Sequence, residues 1–245
     1  MHRFFLETAP QPGAEVPLTP EDAHHACQVL RMQPGETAEL LSGGARFLAE
    51  AVSIGPKEAV FRVLEPLPST EPALRVTLFQ GLPKADKMDW IVQKAVELGA
   101  AAVVPVAMER CVVKLDRKDA ARRQERWQRI AREACKQSGR CEEPAVGLPL
   151  TLGALCAELR SFEAAVVPWE EAQGLSLPRF RAEHPEVRRL AVVIGPEGGI
   201  APREIDVLRE AGALPVTLGP RILRTETAGL ASLAALMALW GEMEA

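Results

Sequence analysis

Two neighbouring stretches decide the fold, LAVVIGPEGGI at residues 190–200 and LPVTLGPRILRTETA at residues 214–228. Each begins with an apolar run typical of a β-strand, Leu190–Ile194 and Leu214–Leu218, and each run is followed by glycine and proline. Helix patterns come next: Pro202 suits a first helical turn, and an Ala- and Leu-rich segment begins near Thr227. The pattern predicts two successive strand–loop–helix units of an α/β sheet.

The two glycine loops are candidates for a ligand site. In open α/β sheets, ligands bind at the carboxyl ends of the strands, and glycine lets backbone groups approach a ligand closely. Glycine after a buried strand is also typical of a simple turn. GPEGG has neither the G-x-G-x-x-G pattern of dinucleotide folds nor the GK[ST] of a phosphate loop. From pattern alone, a ligand site and a plain turn both stay open.

Residues 1 to about 70 predict a small, mostly β domain in the form of a small barrel. Thr19, followed by proline and two acids, predicts the start of a helix that runs to about Arg31. The predicted strands are Phe4–Leu6, Thr37–Leu41, Arg46–Ile54 and Ala59–Leu64. The proline-rich segment from Pro66 to Pro72 predicts a linker and the domain boundary.

From Leu74 onward, strands alternate with helices, which predicts a mostly parallel sheet covered on both faces. The predicted strands, besides the two quoted above, are Arg75–Phe79, Val103–Val106 and Ala164–Val167. The predicted helices are Asp86–Leu98, Asp119–Ser138, Leu152–Leu159, one that begins at Pro202, and Thr227–Trp240.

Composition and charge describe an ordinary globular chain. Of 245 residues, 47% are hydrophobic and 25% are charged, and no apolar run approaches the ~20 residues that span a bilayer. We expect a cytoplasmic protein without a membrane partner. The net charge of −4 does not by itself indicate a nucleic-acid binder, although local patches decide binding. The five cysteines are scattered without C-x-x-C, so we expect free thiols and no metal site.

A strongly basic segment runs from Arg110 to Arg140, with eleven basic residues against four acidic ones. In its helix, Trp127, Ile130, Ala131 and Ala134 share one face, and the basic residues Arg122, Arg126, Arg129, Lys136 and Arg140 share the opposite one. This imbalance favours contacts with phosphates. A merely solvated helix is the alternative.

Six segments resemble one known family. IGPEGG at Ile194–Gly199 and LGPRILRTETA at Leu218–Ala228 resemble the two signature segments of the ribosomal RNA small subunit methyltransferase E family. That family methylates N3 of a uridine in 16S rRNA and belongs to the SPOUT superfamily of knotted methyltransferases. The other segments are GLPK at Gly81–Lys84, KAVELGA at Lys94–Ala100, EACKQSGR at Glu133–Arg140 and VLRMQPGE at Val29–Glu36.

The resemblance covers nearly the whole chain. It implies an RNA-binding PUA-like β-barrel domain in residues 1–70 and a SPOUT methyltransferase domain in residues 73–245, whose C-terminal part forms a deep trefoil knot. Knots are very rare, and residue patterning alone does not predict one. The resemblance also implies a homodimer through the last helix, whose apolar stripe is Leu230, Leu233, Met237 and Trp240.

The implied cofactor is S-adenosylmethionine, a sulfonium cation that carries an adenine and an amino acid. Its site needs accessible backbone, apolar walls and little competing positive charge. The residues that we expect to hold it are Pro168, Trp169, Gly195, Pro196, Glu197, Gly198, Leu218, Gly219, Ile222, Leu223 and Thr225.

Methylation of uracil N3 requires loss of a weakly acidic proton. Arg224 is the candidate donor to the negative charge that develops on the base. Glu197 or Glu226 is the candidate proton acceptor, directly or through water. A structural Arg224–Glu226 pair that orients the loop is the alternative.

The candidate RNA-binding residues are Lys84, Lys87, Arg110, Arg122, Arg126, Arg129 and Lys136. Two other functions are weighed against RNA methylation. One is a nucleotide-binding enzyme that acts on small molecules, with GPEGG at a helix start holding phosphate. The other is an RNA-binding module without catalysis. The basic helix and the β domain disfavour the first, and the paired glycine loops disfavour the second.

Overall fold

The structure is a computed structural model that describes residues 1–244. The chain divides into two compact units. The first holds Met1–Glu71 and Cys135–Glu143, and the second holds Pro72–Ala134 and the chain from Pro144 onward. Among the described residues, no helix is both long and apolar enough to cross a membrane.

The first unit is built on a five-stranded sheet in the spatial order β1-β3-β4-β5-β2. The strands are β1 His2–Phe5, β2 Glu15–Pro17, β3 Thr37–Ser42, β4 Ala45–Ile54 and β5 Ala59–Leu67. β1 pairs with β3 in parallel, and the other pairs are antiparallel. β1 and β2 are the end strands of this order among the described residues. Phe4 and Phe61 meet in its core, with ring centroids 5.6 Å apart.

Helix α1, Pro20–His24, begins as predicted. The Thr19 hydroxyl accepts a hydrogen bond from the Asp22 N–H at 3.1 Å and caps the first turn. A wider π-helical turn, His25–Val29, continues it. The helix does not reach Arg31, because Arg31 has φ 54°, a left-handed conformation that a right-handed helix cannot contain.

The segment that the sequence predicted as a linker begins inside a strand, and its last residues are held by hydrogen bonds. β5 runs to Leu67, and Pro66 pairs with Phe47. The Thr70 hydroxyl then donates to the Gly139 carbonyl at 2.7 Å. The Glu71 carboxylate accepts the Cys141 N–H at 2.7 Å and pairs with Arg140. Arg140 is therefore buried in an ion pair and does not lie on the exposed basic face where the sequence predicted it.

The second unit contains a parallel sheet in the order β12-β10-β11-β6-β7-β8, with β9 also paired to β7. Its strands are β6 Arg75–Gly81, β7 Ala102–Ala107, β8 Ala145–Val146, β9 Leu150–Thr151, β10 Ala164–Pro168, β11 Arg189–Ile194 and β12 Ala213–Val216. Its helices are α2 Lys87–Glu97, α3 Arg117–Ser138, α4 Leu152–Leu159, α5 Leu177–Glu183, α6 Pro202–Glu210 and α7 Thr225–Leu239, of which α3 ends in the first unit. This architecture confirms the predicted α/β fold with a small β domain before it.

Apolar periodicity explains these elements. In β11, Leu190–Ile194 is buried residue by residue, as expected for a strand covered on both faces. In α2, the predicted stripe of Met88, Ile91, Val92, Ala95 and Val96 is buried, and Gly99 ends the helix with φ 88°. The short α5 was missed, because it contains only seven residues and Leu177 and Phe180 are its only buried apolar positions.

Parallel strands put the carboxyl ends of β6, β10, β11 and β12 at one edge of the sheet. The loops that follow three of them, residues 168–174, 194–200 and 217–225, therefore meet there. After β12, which is an edge strand, the chain turns back so that α7 packs on α2, β6 and β11. The two glycine loops are thereby brought together over the middle of the sheet.

Candidate functional site

The three loops enclose a cleft of about 870 Å³ at the carboxyl edge of the sheet. Every residue that the sequence predicted for the cofactor lines it: Pro168, Trp169, Gly195, Pro196, Glu197, Gly198, Leu218, Gly219, Ile222, Leu223 and Thr225. Further lining residues that the sequence reasoning missed include Glu170, Gln173, Gly199 and Arg221. They lie in the same three loops, so their only sequence signal was proximity to the glycines.

The first glycine loop, GPEGG, packs closely, both within itself and against the strand β6. A Cβ on Gly195 would lie 2.6 Å from Cγ1 of Ile200, and a Cβ on Gly81 would lie 2.6 Å from the Pro196 nitrogen. The Gly199 N–H donates to the Pro196 carbonyl at 2.9 Å and closes the turn. Gly81, the last residue of β6, therefore lets this loop cross directly over its strand.

A buried polar network joins this loop to β6 and to the start of α7. The Thr225 hydroxyl donates to the Gly195 carbonyl at 2.6 Å and accepts from the Gln80 side-chain amide at 2.8 Å. The hydroxyl hydrogen of Thr225, a predicted cofactor residue, is thus used inside the protein to hold the loop. Gln80 is 0% exposed and was missed, although a lone amide in an apolar strand was a signal.

Lys87 lies between the two candidate proton acceptors. Its Nζ is 3.1 Å from Oε1 of Glu197 and 3.0 Å from Oε2 of Glu226. The Lys84 N–H also donates to Glu197 at 3.0 Å. The Lys87 ammonium, predicted to contact RNA, is therefore already bound by two carboxylates, and the three side chains form one cluster beside the cleft.

The protonation states in this cluster follow from its hydrogen bonds. Partial burial raises the pKa of Glu197, but hydrogen bonds from Lys84 and Lys87 outweigh it and hold the pKa below its ordinary value. The pKa of Glu226 is likewise lowered, because backbone and Lys87 hydrogen bonds outweigh the effect of burial. Hydrogen bonds that Lys87 donates to Glu226 and Glu197 raise the pKa of Lys87. At neutral pH all three groups are charged, and the cluster carries a net charge of about −1.

Arg224 immediately precedes α7. Its carbonyl accepts the Thr227 and Ala228 N–H groups at 2.9 and 2.8 Å, which fixes its backbone as the N-cap. Its side chain is exposed and lines the cleft. Within residues 1–244 its guanidinium forms no ion pair, so the alternative of a structural Arg224–Glu226 pair is not observed, and Glu226 pairs with Lys87.

The other candidate RNA-binding residues are exposed or half-buried. Arg110 donates from Nη1 to the Gly198 carbonyl at 3.0 Å and so braces the first glycine loop. On α3, Arg122 pairs with Asp119 at 3.0 Å, and Arg126 pairs with Asp89. Arg129 is exposed. The remaining two are Lys84 and Lys136. Lys84 is exposed, and Nζ of Lys136 lies 3.6 Å from Oδ1 of Asp22 within the first unit.

The predicted apolar face of α3 is confirmed at Trp127, Ala131 and Ala134, which are buried. The Trp127 indole N–H donates to Asp89 at 3.1 Å. All five cysteines are free. The described residues contain no group of three or more His, Cys, Asp or Glu side chains arranged to hold a metal ion.

Comparison with known proteins defines the class of this fold and cleft. A family model for the RNA methyltransferase domain matches residues 70–237, and a second model, the RNA methyltransferase PUA domain, matches residues 18–64. The parallel sheet with its glycine-loop cleft is therefore an RNA methyltransferase domain, and the five-stranded sheet lies in the region that matches a PUA domain.

The relatives give the particular family. Ribosomal RNA small subunit methyltransferase E of Bacillus subtilis is 39% identical over 96% of this chain and 96% of its own length. The protein of that name from Aquifex aeolicus is 31% identical over 97% of this chain and 99% of its own. This chain belongs to the ribosomal RNA small subunit methyltransferase E family, as the resemblance indicated.

Two solved structures extend the likeness to the whole fold. Ribosomal RNA small subunit methyltransferase E from Neisseria gonorrhoeae, bound to S-adenosylmethionine, is 37% identical, with a TM-score of 0.82 and 98% coverage of both chains. A methyltransferase from Legionella pneumophila, in complex with the same cofactor, is 33% identical, with a TM-score of 0.82 and 96% coverage of both chains.

Proposed function

We propose that this protein transfers the methyl group of S-adenosylmethionine to N3 of a uridine in 16S rRNA, in the cytoplasm where ribosomal subunits are assembled. The observation that carries the proposal is the cleft between the two glycine loops, which is lined by every predicted cofactor residue. The cofactor in the Neisseria gonorrhoeae and Legionella pneumophila relatives supports the same ligand here.

The residues of the cleft fit this cofactor. Leu218, Ile222 and Leu223 offer apolar side chains to an adenine, and Ile222 is 86% exposed in the protomer. Gly219, with φ 99°, leaves the backbone of the second loop bare. The net negative cluster of Lys87, Glu197 and Glu226 complements a cation. When bound, S-adenosylmethionine supplies an electrophilic methyl group on a positively charged sulfur.

Arg224 is the residue that we assign to the developing charge on uracil. It is exposed to the cleft, it has no ion-pair partner among the described residues, and its backbone is held by α7. An unpaired guanidinium meets a forming anion without first breaking an ion pair inside the protein. Removal of the N3 proton becomes easier as that anion is stabilised.

Glu226 and Glu197 are the groups that we assign as proton acceptors, directly or through water. Both are ionised at neutral pH, which an acceptor requires. Their lowered pKa values make them weak bases, so Arg224 must supply the larger part of the driving force by lowering the pKa of uracil N3. No histidine lines the cleft within the described chain, so a histidine base is not assigned.

We further propose that basic residues, all of them exposed except the half-buried Lys136, hold the RNA backbone: Lys84, Arg110, Arg122, Arg126, Arg129 and Lys136, with Lys87 acting through its carboxylate partners. The ion pairs of Arg122 and Arg126 are exposed and therefore weak, so a phosphate competes with the carboxylates. The PUA-like domain of residues 1–70 adds RNA contacts, and the SPOUT domain comprises residues 73–245.

Two proposals concern topology and assembly. The crossing of Pro196 over Gly81 and the return of α7 across the sheet support a trefoil knot in the C-terminal part. A homodimer through α7 is supported by its Ala-rich composition. Leu233 is 0% exposed within the protomer, so the dimer contact uses the outer residues of the helix and not this one.

The test is methyl transfer from S-adenosylmethionine with a labelled methyl group to naked 16S rRNA and to assembled small subunits, followed by nucleoside analysis. We expect 3-methyluridine as the labelled product. A labelled product methylated on another atom or base would refute the uridine-N3 assignment. Calorimetry with S-adenosylmethionine, with and without a chelator, tests cofactor binding without metal: loss of binding after chelation contradicts it.

A further inference from the structure

One carboxylate in the cleft plays no part in the proposed reaction. Lys87 and Glu197 are paired with each other. Glu170 also lines the cleft, and it forms no hydrogen bond or ion pair with any residue in the described part of the chain. A carboxylate without a partner in a ligand cleft is complementary to a cation.

Backbone hydrogen bonds hold the turn that carries Glu170. Glu170 follows β10, in the turn where the Trp169 N–H donates to the Val216 carbonyl and the Ala172 N–H donates to the Trp169 carbonyl, both at 3.1 Å. Its Oε1 lies 2.9 Å from the point that a Cβ on Gly199 would occupy. The Glu170 carboxylate therefore lies over the first glycine loop, in space that any larger residue at position 199 would fill.

The nearest basic group has another partner. Arg110 Nη1 lies 3.7 Å from the same point beside Gly199, yet it donates to the Gly198 carbonyl at 3.0 Å and does not pair with Glu170. The guanidinium thus braces the loop, while the carboxylate stays available for a ligand.

S-adenosylmethionine has two cationic groups, and their chemistry distinguishes them. The α-ammonium group has three N–H donors, and a hydrogen bond between two charged groups is among the strongest. The sulfonium has no hydrogen-bond donor, and a carboxylate oxygen next to it would compete with uracil N3 for the methyl group. We propose, resting on the function proposed above, that Glu170 binds the α-ammonium group of the cofactor and so selects ligands with a free amino group.

The experiment is calorimetric titration of Glu170→Gln with three ligands. S-adenosylhomocysteine keeps the ammonium group but lacks the positive sulfur, and 5′-methylthioadenosine lacks the amino-acid part altogether. We expect the affinities for S-adenosylmethionine and S-adenosylhomocysteine to fall about 10- to 100-fold, and the affinity for 5′-methylthioadenosine to stay unchanged. Glu171→Gln is the matched control, because Glu171 is exposed and does not line the cleft.

Every other pattern overturns the proposal. Loss for S-adenosylmethionine alone would put the carboxylate at the sulfur, and loss for all three ligands would mean that Glu170 only shapes the loop. Unchanged affinities would remove it from the site. Failure of the wild-type protein to bind S-adenosylmethionine would instead refute the proposed function, so the two failures are distinguishable.

Discussion

At the scale of single residues, two arginines near the glycine loops differ in their partners. Arg110 is committed to the first glycine loop through its bond to Gly198, whereas Arg224 reaches the cleft without an ion-pair partner among residues 1–244. A guanidinium that must first break a bond to the protein loses part of the energy that it gains from the anion, so Arg224 is better prepared than Arg110 to meet a forming anion.

Arg224→Gln should therefore lower the maximal rate of methyl transfer, by roughly 100-fold if its donors meet the developing charge. S-adenosylmethionine affinity should be nearly kept. The measurement is a single-turnover rate at saturating RNA. Arg160→Gln is the control, because it removes one exposed charge outside the cleft. A wild-type saturated rate combined with weaker RNA binding would assign Arg224 to the phosphate contacts.

Gly219, the glycine of the second loop, acts through its backbone conformation. Gly219 has φ 99°, and a Cβ there would have only the tip of Arg221 within 4 Å, at 3.9 Å. Gly219→Val should therefore fold, with a backbone strain of about 1–3 kcal/mol, and should bind S-adenosylmethionine weakly because the branched side chain fills the cleft. Gly198→Val, in the first loop, is a less specific test of the cofactor site. A Cβ on Gly198 would lie 2.9 Å from Cβ of Arg110 and would disturb that side chain too.

Gly212→Val is the matched control for Gly219→Val. Gly212 has φ 91°, nothing lies within 4 Å of its Cβ position, and it is outside the cleft. Thermal unfolding should show similar destabilisation of both variants, and calorimetry should show lost cofactor affinity for Gly219→Val alone. Equal cofactor affinity in the two folded variants would exclude the second loop from the site.

At the scale of elements, most of α3 belongs to the second unit, and its last residues belong to the first. Its buried face at Trp127, Ala131 and Ala134 fixes the helix, and its outer face presents Arg122, Arg126 and Arg129. Its last residues belong to the first unit, where Arg140, beyond the helix end, is buried against Glu71. The basic surface therefore extends over the outer face of the helix but not to Arg140.

Replacing Arg122, Arg126 and Arg129 together with glutamine should weaken RNA binding and flatten its salt dependence. The slope should fall by about 0.7 to 0.9 per lost phosphate contact, while the saturated rate stays near wild type. Binding measured at several salt concentrations checks this. The control triple variant replaces Arg160, Arg179 and Arg203, three exposed arginines elsewhere, with the same loss of charge. Equal slopes for the two triple variants would argue against phosphate contacts on α3.

At the scale of the whole molecule, the homodimer depends on the outer residues of α7. Leu233→Asp would put a charge in the protomer's own core and unfold it, so it cannot test assembly. Ala238 is exposed. Ala238→Arg should leave the fold intact and give a monomer by light scattering, with the wild type a dimer at micromolar concentration. Ala182→Arg, at an exposed alanine of α5, should remain dimeric. A monomeric wild type would refute the homodimer.

The sequence by itself determined the parallel sheet, the helices and the loops that form the cleft. These features rest on local signals: apolar runs of strand length in β11, a helical apolar stripe in α2, and glycines that carry no Cβ. Such signals depend on neighbours within a few residues, and they can be recognised without the fold. The missed α5 had too few residues for its period to be recognised.

Only the tertiary structure decided which side chains are partners. Lys87 was predicted to contact RNA and is bound by Glu197 and Glu226, and Arg140 was predicted to be exposed and is buried against Glu71. Each of these pairs joins residues that are far apart in the chain. Because parallel strands deliver distant loops to one edge of the sheet, the partner of a charged side chain is set by topology. The burial and the role of such a side chain depend on this distant partner, which no local sequence pattern specifies.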